Sequence, residues 1–231
     1  MLLTVDAIDT FYGPSQAVHG VSFEVGEREV VALLCRNGAG KTTCLRSIMG
    51  LSPVAAGRIR FDGADISARA PHAISQLGLT LVPETRDPFV LLTVRENIML
   101  GHRKGSPYTL DRLMHLFPLL EELLKKKGGE LSGGQQQMMV MARGLATGPR
   151  LLLLDEPSQG LAPIMVKAVA GVLSALKQDG LTLVLVEQNL KMALELADRV
   201  VVLENGAVAD AFPASDGLAQ PERLERYLAV H

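Results

Sequence analysis

The chain has 231 residues, enough for one large domain with a full hydrophobic core, and 48% hydrophobic residues exclude a globally disordered chain. Aromatic residues are 4% with no Trp, which leaves little for base-stacking platforms. Lys plus Arg number 23 against 25 Asp plus Glu, a net charge of −2, so the basic face that a nucleic-acid binder needs is not expected.

Met1-Leu2-Leu3 runs at once into Thr4 and Asp6, without the pattern of a secretory leader. No apolar run approaches the ~20 residues of a membrane span. A cytoplasmic chain, held at a membrane only through partners, is the expectation. The two cysteines, Cys35 and Cys44, are expected to be reduced thiols.

In chain order, Leu3 and Val5, then Val21, Phe23 and Val25, alternate with polar neighbours and predict antiparallel strands with one solvated face. Val30–Leu34 is a continuous apolar run that ends at a Gly-rich turn, followed by a helix to Met49 and a stop at Gly50. Leu79–Val82, Leu151–Leu154 and Leu181–Val186 have the same buried-strand character. Thr93–Leu100, Thr109–Phe117 and Ser132–Ala146 predict helices within a segment, residues 90–146, read as a helical subdomain inserted into an α/β core of residues 1–89 and 147–231. Pro163–Lys177 and Asn189–Ala197 predict further helices, Asn205-Gly206 a hairpin turn, and Pro221–Val230 a terminal helix. Strands alternating with helices imply a mostly parallel sheet covered on both faces.

Three segments carry chemistry. Asn37-Gly38-Ala39-Gly40-Lys41-Thr42-Thr43, between a strand and a helix, is a phosphate loop. Its small residues let backbone N–H groups crowd around phosphate oxygens, Lys41 reaches the β/γ-phosphates of ATP, and the Thr42 hydroxyl is a Mg²⁺ ligand. The usual pattern begins with Gly six residues before the Lys, where this chain has Cys35. An electropositive loop favours thiolate, so Cys35 is a candidate for ATP-protected labelling, with Cys44 as the slow control. The second segment is Leu151–Leu154 followed by Asp155-Glu156-Pro157. Asp155 is expected to hold Mg²⁺ and Glu156 to act as general base toward the attacking water. The third is Leu131-Ser132-Gly133-Gly134-Gln135, where Ser132 and the Gly N–H groups at a helix start can meet a γ-phosphate.

Leu-Ser-Gly-Gly-Gln, lying between a phosphate loop and an Asp-Glu-Pro strand, resembles the signature of ABC ATPases, and the resemblance extends over essentially the whole chain. It implies a P-loop NTPase of ABC type: an α/β fold whose mostly parallel core carries an N-terminal antiparallel β subdomain. It also implies two such domains paired head to tail, with ATP between the phosphate loop of one and Ser132, Gly133, Gly134 and Gln135 of the other. On the same resemblance Tyr12 sits under adenine, and Ser158-Gln159-Gly160-Leu161 crosses the dimer axis. Glu84 stands where most members have a Gln that senses Mg²⁺ and the membrane partner. Gln188 stands where most have a His on the γ-phosphate.

Val-Pro-Glu at 82–84, residues 158–163, Val-Glu-Gln-Asn at 186–189 and residues 197–206 are similar to the smaller ATPase subunit of branched-chain amino acid importers. Thr85-Arg86-Asp87 departs from the Gly-Arg-Arg expected there. The partners implied are two transmembrane permease subunits, a second ATPase subunit or a second copy of this chain, and indirectly an external substrate-binding protein. No nucleic acid and no direct lipid insertion are expected. Importers of urea or short amides share the general pattern and stay open as an alternative. So does a nucleotide-binding subunit with little turnover, against which the retained Lys41, Asp155, Glu156 and Ser132 argue. A nucleotide-gated module of translation or chromosome maintenance would carry two cassettes or a long coiled coil, and the sequence has neither.

Overall fold

Two sheets organise the chain, and each follows from its own hydrophobic period. The computed structural model describes residues 1–34, 38–219 and 222. Leu3–Tyr12 (β1) and Ser15–Val25 (β2) pair antiparallel, with Leu3 opposite Val25 and Val5 opposite Phe23, and both pairs are buried. Val54–Phe61 (β4) and the two-residue Ala64–Asp65 (β5) complete a four-stranded antiparallel sheet in the order β2-β1-β4-β5.

The second sheet contains Val30–Leu34 (β3), Leu79–Val82 (β6), Leu151–Asp155 (β7), Thr182–Glu187 (β8), Arg199–Glu204 (β9) and Ala207–Pro213 (β10). Its order is β10-β9-β3-β8-β7-β6, parallel throughout except for β10 on β9. Every residue of β3 is buried. Val30, Ala32 and Leu34 enter one core while Val31 and Leu33 enter the other, as a parallel strand covered on both faces requires.

The helices are Lys41–Ile48 (α1), Pro71–Gln76 (α2), Val94–Leu100 (α3), Leu110–Leu116 (α4), Gly133–Ala146 (α5), Pro163–Gln178 (α6), Leu190–Leu196 (α7) and Ala214–Ala219 (α8). Thr93, Thr109, Ser132 and Asn189 each accept a backbone N–H at a helix start, which is why the predicted helices begin where they do. Between residues 94 and 146 the secondary structure is α3, α4, two 3-10 turns (Pro118–Leu123 and Gly128–Glu130) and α5. The sequence reading missed β4, β5 and the short helices α2 and α8. The expected terminal helix Pro221–Val230 lies, but for Glu222, outside the described residues.

Close backbone contacts join the two sheets beside the phosphate loop, in addition to the core they share. Gly40, at φ 93°, ends the phosphate loop, and a Cβ there would stand 2.5 Å from the Ala17 carbonyl oxygen on β2. Gly206, at φ 79° in the β9–β10 turn, approaches the same oxygen, where a Cβ would come to 2.6 Å. The His19 N–H donates to the Gly206 carbonyl at 2.7 Å beside it. No other residue type has both the left-handed backbone and the clearance that these two positions demand.

Candidate functional site

Parallel strands bring their carboxyl ends to one edge, and the chemistry-bearing residues are spread along that edge. β3 leads into the phosphate loop and α1, β7 ends at Asp155, and β8 ends at Glu187, with Asp155 in register with Val186. Lys41, the first residue of α1, is thereby set against Glu156: its Nζ lies 2.5 Å from Glu156 Oε1, and both side chains are buried. Gln188 Nε2 donates to the other carboxylate oxygen of Glu156. The three residues predicted as catalytic thus meet at one carboxylate. Glu156 also has a left-handed backbone, φ 48°, unusual for a side-chain-bearing residue.

Asp155 is buried beside this pair. Its carboxyl is pushed up to about 6, mainly by burial and further by the charges of Glu156 and Glu84; a hydrogen bond from Thr42 and the Lys41 charge oppose the rise. Asp155 Oδ1 is buried with no hydrogen-bond partner among the described residues. A buried carboxylate oxygen left unpaired next to a hydroxyl is the arrangement that a bound cation satisfies. Among the described residues no three His, Cys, Asp or Glu side chains converge into a metal site made of protein alone.

A cleft of about 410 Å³ runs along the edge and is lined by Tyr12, Ala17, Gly38, Gly40, Lys41, Thr42, Thr43, Glu84, Glu156 and Gln159. Tyr12 is half exposed, and its hydroxyl lies 3.5 Å from Ser52 Oγ; hydrogen bonding to Ser52, with Thr43 and Arg46 nearby, lowers its pKa. Glu84 reaches this cleft and adds to the negative field at Asp155. Ala39 is buried within the loop. Asn37, with Cys35, lies outside the described residues; Cys44 is buried on α1.

Ser132, Gly133, Gly134 and Gln135 do not line this cleft among the described residues. They form the start of α5, where Ser132 Oγ accepts from the Gln135 N–H at 3.4 Å and Gln135 Oε1 accepts from the Ser132 N–H at 2.9 Å. The predicted residues therefore fall into two groups, a cleft group and a helix-start group.

Two further residues brace the segments around these groups, and the sequence reading gave neither a role. The Glu187 carboxylate accepts the Ser158 N–H and hydroxyl at 2.9 and 2.8 Å and the Asn189 N–H at 3.1 Å. Burial raises its pKa, and these hydrogen bonds hold it back. It fixes the start of the 158–162 loop directly beside Gln188. The detectable signal was a carboxylate closing the apolar run Leu183–Val186. The second is Arg86, whose guanidinium lies between α5 and the same loop; nothing in the sequence pattern announces that reach.

The family model described as ABC transporter matches residues 18–159. A high-affinity branched-chain amino acid transport ATP-binding protein, BraG of Pseudomonas aeruginosa, is 40% identical over 98% of this chain and 99% of its own length. A probable branched-chain amino acid transport ATP-binding protein, LivF of Archaeoglobus fulgidus, is 34% identical over 98% and 97%. The solved structure of MJ1267, an ATP-binding cassette of an ABC transporter in its ADP conformation, superposes with a TM-score of 0.84 at 26% identity, covering 99% of both chains. With phosphate loop, acidic strand end and Leu-Ser-Gly-Gly-Gln helix start assembled on this topology, the chain belongs to the ATP-binding cassette family of ABC transporters.

Proposed function

We propose that this cassette is the ATP-hydrolysing subunit of an importer for branched-chain amino acids, and that it works from the cytoplasmic face of the membrane. The observation that carries the ATPase reading is the convergence of Lys41 and Gln188 on Glu156, beside a cleft bounded by Tyr12 and the phosphate loop. Lys41 binds phosphate oxygens, and N–H groups of residues 38–43 complete the cradle. Phosphate drawn to Lys41 competes with Glu156 for its ammonium, which releases Glu156 Oε1 to accept a proton from water. Gln188 holds the opposite oxygen and so keeps the carboxylate aimed. Thr42 and the unpaired oxygen of Asp155 suit Mg²⁺, with Glu84 within reach of the same field. When bound, the ion supplies positive charge against the β- and γ-phosphates.

The helix-start group lies outside the cleft of its own chain, which supports a head-to-tail pair in which Ser132, Gly133, Gly134 and Gln135 complete the partner's site. The pair forms with a second ATPase subunit or with another copy of this chain. Residues 90–146 act as an inserted helical arm on the core of residues 1–89 and 147–231. At its base Phe89, Val90 and Leu91 are 52%, 53% and 79% exposed, beside a groove of about 420 Å³ lined by residues that include Pro83, Phe89, Leu100 and Arg143. This apolar face suits a helix of a permease subunit. No helix among the described residues is long and apolar enough to cross a membrane, and membrane attachment is assigned to two permeases, with an external binding protein delivering the substrate. The branched-chain class rests on the 40% likeness to the Pseudomonas aeruginosa protein and displaces the urea or short-amide alternative.

Reconstitution of the chain with its permeases and binding protein in proteoliposomes is expected to give ATP-dependent leucine uptake. ATP-driven uptake of urea or acetamide without leucine would move the substrate class, and no uptake at all with intact ATP binding would favour the low-turnover reading.

Gln188 donates to Glu156 as an amide, and an amide does not titrate near neutrality. A His at 188 can offer one ring N–H to the same oxygen. Gln188→His is therefore expected to keep turnover within about tenfold, ~1.4 kcal/mol in barrier. A much larger loss, measured as steady-state phosphate release, would mean that the site is built around the amide.

A further inference from the structure

Arg86 lies in the loop after β6, outside the cleft, and its side chain joins three segments. Its Nε donates to Gln137 Oε1 on α5 at 3.1 Å, and its Nη2 donates to the Gln159 carbonyl in the 158–162 loop at 2.7 Å. The guanidinium also lies so close over the start of α5 that a Cβ on Gly133 would stand 2.7 Å from Nη1. The backbone of the same loop is tied to α5 in return: Arg143 Nη2 donates to the carbonyls of Arg86 and Asp87 at 3.4 and 3.0 Å, and its guanidinium covers the Phe89 ring. Loop 84–89 and α5 are thus bound together at two points. The Arg86–Gln159 hydrogen bond then runs from that unit to the loop that Glu187 fastens beside Gln188. Arg86 and Asp87 both adopt left-handed backbone, φ 61° and 40°, a turn that directs the Arg86 side chain to this junction.

We infer that Arg86 is a positioning residue for ATP hydrolysis, holding the start of α5 and the Gln159 loop in one fixed relation so that the two groups of site residues move together. The inference rests on the ATPase reading proposed above. Arg86 lies outside the nucleotide cleft, so its loss should leave ATP capture by Lys41 and the phosphate loop in place and slow the turnover that needs both groups aligned. A guanidinium serves two acceptors in a fixed fork, whereas an ammonium serves them as a compact point charge.

The test compares the full-length parent chain with Arg86→Ala and Arg86→Lys, measuring Mg-ATP turnover and KM for ATP in the assembly with permeases and partner ATPase, and the thermal midpoint of each chain alone. Arg86→Ala is expected to lower kcat at least tenfold with KM within threefold and a thermal midpoint within a few degrees of the parent, and Arg86→Lys to recover part of kcat. An unchanged kcat in Arg86→Ala would overturn the inference. So would a loss of kcat that follows a fall in thermal midpoint and is not relieved by Lys, because that pattern belongs to a fold contact. A parent chain that binds ATP and shows no turnover even when assembled with its permeases and partner ATPase would instead count against the ATPase reading itself.

Discussion

Replacing Glu156 by Gln is expected to lower ATP turnover by about 10²–10⁴ while nucleotide still binds, because the general base proposed for the site is lost and the phosphate cradle is untouched. The geometry adds a second consequence. In the wild-type chain the two oxygens of Glu156 accept from Lys41 and from Gln188. A Gln side chain has one carbonyl oxygen and an amide that can only donate, so one of those two donors loses its acceptor. Gln188 is exposed and can turn to water, so the cost falls on the buried Lys41 ammonium, which loses its carboxylate. A poorly satisfied buried group costs about 1–3 kcal/mol, more when charged, and the nucleotide-free variant should unfold at lower temperature than the parent. ATP reverses the deficit by giving Lys41 a phosphate, so the ATP-induced rise in thermal midpoint should be larger in Glu156→Gln than in the parent. Phosphate release measures the first effect and thermal unfolding with and without ATP the second. Turnover near the parent's rate would remove Glu156 from its role.

Lys41→Ala is expected to do the converse and abolish capture. The ammonium is the buried cation of the cleft, and deleting one member of a buried charge pair costs roughly 2–5 kcal/mol of binding, so ATP affinity should fall by at least about 30-fold. The nucleotide-free fold also suffers, because Glu156 keeps only its bond from Gln188 and stays buried; breaking such a pair costs about 3–5 kcal/mol. Combining Lys41→Met with Glu156→Gln removes the charge along with its partner and should restore part of the thermal midpoint without restoring affinity. Titration with a fluorescent ATP analogue checks the affinity, and an unchanged dissociation constant for Lys41→Ala would contradict the phosphate-loop assignment.

The parts of this molecule that were legible in the sequence are those whose physics is local. Val30–Leu34 and Leu79–Val82 were read with the residues the structure gives them, since an uninterrupted apolar run is what a strand buried on both faces demands. Helix starts at Ser132 and Thr93 were legible because a cap is a short-range hydrogen bond. Val54–Phe61 escaped notice for the opposite reason: Gly57, Arg58 and Arg60 break its apolar character, only Ile59 and Phe61 are buried, and its strand conformation comes from pairing with β1. α2 contributes a single buried residue, Ile74, too few to set a period. Lys41, Asp155, Glu156 and Gln188 could be proposed from their motifs, but not the arrangement in which Lys41 and Gln188 hold opposite oxygens of one carboxylate. The Arg86 and Glu187 junctions join residues 51, 73 and 29 positions apart, and no periodicity encodes a side chain's reach between loops.

The Ala17 carbonyl, wedged between Gly40 and Gly206, makes the nucleotide cleft a gauge of length. Tyr12 is carried by the antiparallel sheet and Lys41 by the parallel one. On the proposed reading, with the base at Tyr12 and the terminal phosphates at Lys41, sliding sheets would let that span vary and so accommodate shorter phosphate chains. The two glycines bring the backbones so close that the sheets share one frame, and the span is set when the chain folds. With Lys41 read as the ligand of the β- and γ-phosphates, a nucleoside monophosphate held at the base end would stop short of it. The ammonium then remains with Glu156, and the carboxylate that would activate water stays occupied.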